Sequence, residues 1–168
     1  MFSGRSCAAS AHHALPEATV SRGFTLLELT AALACAAIVA SIAIPTYMGA
    51  MQRQKTAATI RDLGHIAMAI QKYRLSHVVP PLSLTAVGMD DLRDPWGHPY
   101  RYLNFSSGEP GIDAKIRKDH NLHPINSEFD LYSMGPDGDS KAPLTAQASR
   151  DDILWARDGA FIGVATDF

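Results

Sequence analysis

The chain has 168 residues, with 15 Lys and Arg against 17 Asp and Glu and a formal net charge of −2. That length suits one domain with an added tail or anchor, and the balanced charge is unlike the basic surface that nucleic-acid binding requires. The two cysteines, Cys7 and Cys35, fall in a leading polar stretch and inside an apolar run. The polar remainder therefore has neither a disulfide nor a thiol-based zinc site.

The first element is residues 24–44, FTLLELTAALACAAIVASIAI, whose only charge is Glu28. As a helix it spans about 32 Å, enough for a hydrocarbon core of about 30 Å. A secretory signal has a shorter apolar run ending at a small-residue cleavage site. Here a polar stretch precedes the run and a helical pattern continues beyond it. Hydropathy alone is equally met by an ordinary signal anchor. Small residues recur from Ala31 to Ala43 and allow helix backbones to approach closely. Glu28 is costly in an apolar helix and calls for a partner; the competing reading is a side chain that snorkels to the membrane surface. Pro45 removes a backbone bond and loosens or bends the helix.

Beyond Pro45 the pattern becomes amphipathic. Leu63, Ile66, Ala67, Ile70 and Tyr73 recur at helical spacing, with Arg53, Lys55, Arg61, Asp62 and Lys72 mostly between them. The predicted helix runs from Phe24 to about His77 and stops before Pro80-Pro81. The downstream chain must cover its apolar stripe. The expectation over 80–93 is a loop with one short helical turn. Trp96 to Leu103 passes from a turn into an aromatic strand, and 104–124 is expected as a long polar hairpin loop. Phe129 to Met134 is a second, alternating strand, Asp137-Gly138 begins a turn, and residues 153–155 and 161–164 close the domain. From Glu128 onward eight acids face three bases, so this end repels itself unless solvated or neutralised by a cation. His120 and His123 are too few for zinc without cysteine. A Gly-rich phosphate loop, a Gly-x-Ser-x-Gly elbow and an HExxH motif are all missing from the sequence.

The stretch Ser21-Arg22-Gly23-Phe24-Thr25-Leu26-Leu27-Glu28-Leu29 resembles the prepilin peptidase site of type IV pilins and type II secretion pseudopilins, where a basic leader ends in Gly and Phe follows. The resemblance implies cleavage after Gly23 by prepilin peptidase and N-methylation of Phe24. It makes Glu28 the fifth mature residue, which meets the amine of a neighbouring subunit during assembly. Helical spacing also allows Glu28 to meet the Phe24 amine of its own chain. The leader is long for the family and has few basic residues. Two further blocks, Asp94-Pro95-Trp96-Gly97-His98-Pro99-Tyr100-Arg101-Tyr102 and Phe129-Asp130-Leu131-Tyr132-Ser133-Met134-Gly135-Pro136-Asp137-Gly138, resemble the major pseudopilin of the type II secretion system, as does Asp151-Asp152-Ile153 followed by Trp155. Ordinary type IVa pilins share the N-terminus but usually end in a disulfide-bounded loop, which this chain cannot form.

The implied fold is α+β and type IV pilin-like: a long N-terminal helix, transmembrane in its first half, packed on a small antiparallel sheet with a C-terminal acidic loop. The implied segments are a cleaved leader (1–23), a transmembrane and assembly helix (24–44), its amphipathic continuation (45–78) and a periplasmic domain (79–168). The implied function is structural rather than enzymatic. The chain would be a single-pass protein of the bacterial inner membrane that homopolymerises into a pseudopilus and drives export of folded proteins across the outer membrane. Its implied partners are minor pseudopilins, prepilin peptidase and the inner-membrane assembly platform. The alternatives are a type IV pilin or minor pilin for adhesion, motility or DNA uptake, and a membrane-anchored periplasmic enzyme or binding module.

The resemblance also implies a structural calcium, held by the Met134 backbone carbonyl, Asp137, and Asp151 or Asp152. Calcium is a hard cation and takes carboxylate and carbonyl oxygens. Thirteen residues separate Asp137 from Asp151, several more than the family pattern, and the insertion from Asp139 to Arg150 is expected to loop out or to change the coordination. The insertion is no EF-hand, because Ala142 stands for the required Gly and Ala148 for the terminal Glu. The competing reading is a solvated acidic loop. The Asp94 to Tyr102 block is expected to be structural, with Trp96 and Tyr100 covering the helix stripe, against a competing aromatic ligand pocket.

Overall fold

A computed structural model describes residues 23–120 and 122–168, so most of the predicted leader lies outside the described residues. The predicted helix forms as α1, Leu26–Arg74, and contains Pro45. Its last turn tightens as the N–H groups of Leu75, Ser76 and His77 donate to the carbonyls three residues back. The chain divides between Ala43 and Ile44 into two compact units.

In the first unit α1 and the residue Phe24 before it are apolar and exposed: Phe24, Leu26 and Leu27 keep about four-fifths or more of their surface, and Leu33, Ile38, Val39 and Ile42 more than half. This is a stretch long and apolar enough to cross a membrane. Cys35 is exposed and free.

In the second unit the predicted stripe is the buried face of the helix, with Leu63, Ile66, Ala67 and Ile70 all in the core. Thr59 joins them one turn earlier, its hydroxyl satisfied by the Lys55 carbonyl at 3.0 Å. Tyr73 is only half-buried and stacks on His77, ring centroids 3.9 Å apart. The short helical turn expected in 80–93 is a 3-10 segment, Leu84–Val87, ended by Gly88 in the left-handed region.

Four strands make an antiparallel meander: β1 Arg101–Asn104, β2 Phe129–Ser133, β3 Ile153–Ala156 and β4 Phe161–Val164, in that spatial order. Tyr102 lies opposite Leu131, Leu131 opposite Trp155 and Tyr132 opposite Leu154. Because side chains alternate along a strand, this register sends Phe129, Leu131, Ile153 and Trp155 to the face that meets the helix stripe. Phe129 and Trp155 stack there with centroids 4.6 Å apart. Burying each such side chain contributes ~1.5–3 kcal/mol.

The opposite face is also covered, and this corrects the loop expectations. A second core joins Ile125, Leu144, Leu154 and Ala156, with Tyr132, Phe161 and Phe168 against it. The stretch 104–124 is not a plain hairpin loop. It carries a helical turn, α2 (Ile112–Lys115), and then pairs with the insertion. The Lys118 N–H donates to the Ala142 carbonyl at 3.1 Å and the Leu144 N–H to the Lys118 carbonyl at 2.9 Å. The insertion therefore does not loop out. Leu144 needs burial and Tyr132 and Leu154 need a cover, so the 140–149 segment folds back over the sheet.

Candidate functional site

The N-terminal segment starts with a reciprocal cap. The Thr25 N–H and hydroxyl each donate to Glu28 Oε2 at 3.0 Å, and the Glu28 N–H donates back to the Thr25 hydroxyl at 3.2 Å. Thr25-Leu26-Leu27-Glu28 is thus a capping box that satisfies the first free N–H groups of α1. Reading Glu28 for an amine partner overlooked this one, although the T-x-x-E spacing signals it. Gly23 precedes the helix, and Phe24 projects an exposed ring.

The aromatic block is built around Asp94, which is buried. One carboxylate oxygen accepts the N–H groups of Trp96 at 3.0 Å and His98 at 2.8 Å, closing the turn that Pro95 and Gly97 shape. The other accepts the Ser133 hydroxyl at 2.6 Å. The aromatic side chains then reach the second-unit part of α1. Trp96 donates to Gln52 at 3.2 Å, and Tyr100 donates to Asp62 at 2.8 Å. Tyr102 donates to the Pro81 carbonyl at 2.7 Å. Burial, reinforced by the Asp62 carboxylate, pushes the Tyr100 hydroxyl well above the usual tyrosine range. Burial does the same to Tyr102, with the Glu128 charge adding to it. These contacts clasp helix to sheet, as the structural reading of the block expects.

The His98 ring ties this block to the Met134–Gly138 turn. Its Nδ1 donates to the Gly135 carbonyl at 3.0 Å, and its ring lies where a side chain on Gly138 would go. Gly135, at φ 63°, faces Asp151 so closely that a Cβ would overlap its backbone carbonyl. The two sequence blocks are one packed unit.

The carboxylates expected to hold calcium are only partly brought together. Asp151 Oδ2 accepts the Asp137 N–H at 3.3 Å, and Asp137 Oδ1 accepts the Asp139 N–H at 2.9 Å. Met134 is buried, and its sulfur accepts from Arg101 Nε at 3.3 Å. Asp152 is turned into the protein, where its carboxylate is ion-paired with Arg117 and accepts the Ser140 hydroxyl at 2.7 Å. Burial pushes the Asp152 carboxyl up to about 6, against the pull of the Arg117 charge and of hydrogen bonds from Ser140 and Arg117. Among the described residues no three His, Cys, Asp or Glu side chains gather as a metal site. This arrangement does not fit a calcium ion that uses Asp152, because that carboxylate already faces a cation.

Arg117 is the residue that reading the sequence missed. Beside Lys115 and Lys118 in a polar stretch, nothing local marks it. Its backbone N–H donates to the buried Asp130 at 2.7 Å, its guanidinium donates to the Lys141 carbonyl and Asp152, and it lies 3.8 Å above the Tyr132 ring. Asp130 also accepts from Asn126 at 3.1 Å, and burial holds its carboxyl above the usual range.

Residues 19–44 match the prokaryotic N-terminal methylation motif. The chain is 27% identical to the type II secretion system core protein G of Pseudomonas aeruginosa over 139 residues, covering 69% of this chain and 84% of that protein. It is 27% identical to the protein of the same name from Aeromonas hydrophila, covering 70% and 85%. It is 25% identical to the type IV major pilin protein PilE of Neisseria gonorrhoeae, covering 80% and 83%. No solved structure is significantly similar. The methylation motif, the helix among the described residues that is long and apolar enough to cross a membrane, and the helix-on-meander arrangement give this chain an α+β, type IV pilin-like fold, and over about 70% of its length its sequence is similar to type II secretion system core proteins G.

Proposed function

We propose that this chain is a structural subunit of a type II secretion pseudopilus, stored in the inner membrane and polymerised through its N-terminal helix. The observation that carries the reading is the character of α1. It opens at the Thr25–Glu28 cap, runs through an exposed apolar stretch, and continues into the stripe that forms the core of the second unit. A helix with that exposed stretch needs lipid or other copies of itself. Lipid tails are as apolar as leucine, so moving from membrane to filament gains little from hydrophobicity, and small-residue packing and polar pairing must direct the step.

In this reading the leader is removed after Gly23 and Phe24 gains a methylated amine. Glu28, charged and exposed, exchanges its Thr25 contacts for the amine of the next subunit. Residues 24–44 span the inner membrane, and residues 79–168 stand in the periplasm beside the assembly platform and minor pseudopilins. The chain itself catalyses nothing; it transmits work done on the growing polymer to proteins leaving through the outer membrane.

The test is co-expression with a prepilin peptidase, followed by mass analysis of the N-terminus and electron microscopy of sheared filaments. The expected product begins at methylated Phe24, and Glu28→Ala yields mature subunits without filaments. An intact leader, or filaments from the Glu28→Ala chain, would refute the processing or assembly role respectively. A second reading, a type IV pilin, is favoured by the likeness to the Neisseria pilin over 80% of this chain. Restored export in a strain lacking its own core G subunit supports the pseudopilin; restored surface pili without export supports the pilin.

A further inference from the structure

We propose that the buried guanidinium of Arg117 holds the place of a divalent cation in the acidic C-terminal region, locking the 137–151 loop without calcium. The Arg117 side chain is 2% exposed and Asp152 is fully buried. The guanidinium gathers the Asp152 carboxylate and the Lys141 carbonyl, which lie at the far side and near the start of the insertion. The Ser140 hydroxyl reaches the same Asp152 oxygen at 2.7 Å. A cation that collects carboxylate and carbonyl oxygens from two loop segments is what calcium provides in such loops. Here the chain supplies the positive charge itself.

Three further observations point the same way. First, a calcium ion on Asp152 would lie within a few ångströms of the guanidinium, and like charges in a poorly solvated site repel strongly. Second, the atoms the pair leaves without partners are Arg117 Nε and Asp152 Oδ1, one donor and one acceptor. They are the donor and the acceptor that a bidentate arginine–carboxylate contact uses, so the pair itself holds the complement of each. Third, the insertion is organised around the arginine. Lys141 is closed against Ser149, whose hydroxyl accepts the Lys141 N–H and donates to its carbonyl at 2.8 Å each. Lys118, next to Arg117, pairs with Ala142 and Leu144. The longer loop thus carries the Ser140 hydroxyl and Lys141 carbonyl to the arginine. The proposal goes beyond the assembly reading and stands whether or not the chain polymerises.

The test uses the full chain purified in detergent. Metal content is measured, and thermal melting is compared in excess EGTA and in about 1 mM calcium chloride. The expected result is no stoichiometric calcium and melting temperatures within about 1 °C of each other. One bound calcium per chain, or a rise of about 5 °C or more with calcium, overturns the proposal, since a ligand at a hundred times its Kd stabilises by that order. Arg117→Met is expected to melt about 10 °C lower or more, with Arg117→Lys between it and the parent, because a carboxylate is left buried without its partner. An Arg117→Met chain that melts like the parent also overturns it. If neither variant folds, the calcium comparison on the parent chain decides.

Discussion

Ser133 donates its hydroxyl to the buried carboxylate of Asp94 at 2.6 Å, joining the end of β2 to the aromatic turn across 39 residues of sequence. The same hydroxyl accepts the Gly135 N–H at 3.1 Å, so one serine fixes both the strand end and the adjoining turn. Asp94→Ala strands three donors and is expected to cost about 2–4 kcal/mol in urea unfolding. Asp94→Asn keeps an acceptor for the Trp96 and His98 N–H groups and is expected to cost about 1–2 kcal/mol. Equal losses would mean that the carboxylate charge, not the turn geometry, dominates.

Two glycines with nearly the same backbone separate strain from crowding. Gly88 (φ 69°) has open space where a Cβ would go, whereas Gly135 (φ 63°) faces the Asp151 backbone and carboxylate. Gly88→Ala is expected to cost about 1 kcal/mol from the left-handed conformation alone. Gly135→Ala adds a collision with backbone and is expected to cost about 3 kcal/mol or more. Equilibrium unfolding of the two variants side by side measures the difference.

Leu144 sits in the insertion yet is buried against Leu154 and Ala156. Leu144→Ala is expected to cost about 2–4 kcal/mol. A residue in a looped-out insertion would change stability by about 0.5 kcal/mol or less, so the melting shift of this one variant decides between the two arrangements.

The tyrosines set an alkaline limit. In the unfolded chain Tyr100 and Tyr102 lose their protons near pH 10, while the fold holds both pKa values higher. Above that pH the folded state binds more protons than the unfolded state, so stability falls as pH rises. Below it the two states are protonated alike and this dependence vanishes. Tyr100→Phe is expected to give a shallower loss between about pH 10 and 11.5, at the expense of the Asp62 hydrogen bond at neutral pH. Melting temperature against pH for parent and variant checks both.

Much of this protein is legible in its sequence because the governing forces are local or periodic. The apolar run from Phe24 to Ile44 needs only its length and the position of Glu28 to be recognised. The stripe Leu63, Ile66, Ala67 and Ile70 follows from helical period, and the strands at 129–133, 153–156 and 161–164 from residue type and turn signals. The T-x-x-E cap was equally readable from spacing.

Tertiary structure alone decided what the charged and polar loop residues do. Arg117 and Asp152 stand 35 positions apart, and nothing in either neighbourhood distinguishes a buried pair from two solvated charges. Whether Asp152 faces a metal or a guanidinium depends on which segment covers the second face of the sheet. That cover is set by the need to bury Leu144, Leu154 and Tyr132 together. Burial is a property of the whole fold and electrostatic partnership follows from burial, so the loop's chemistry could not be read along the chain in the way the helix could.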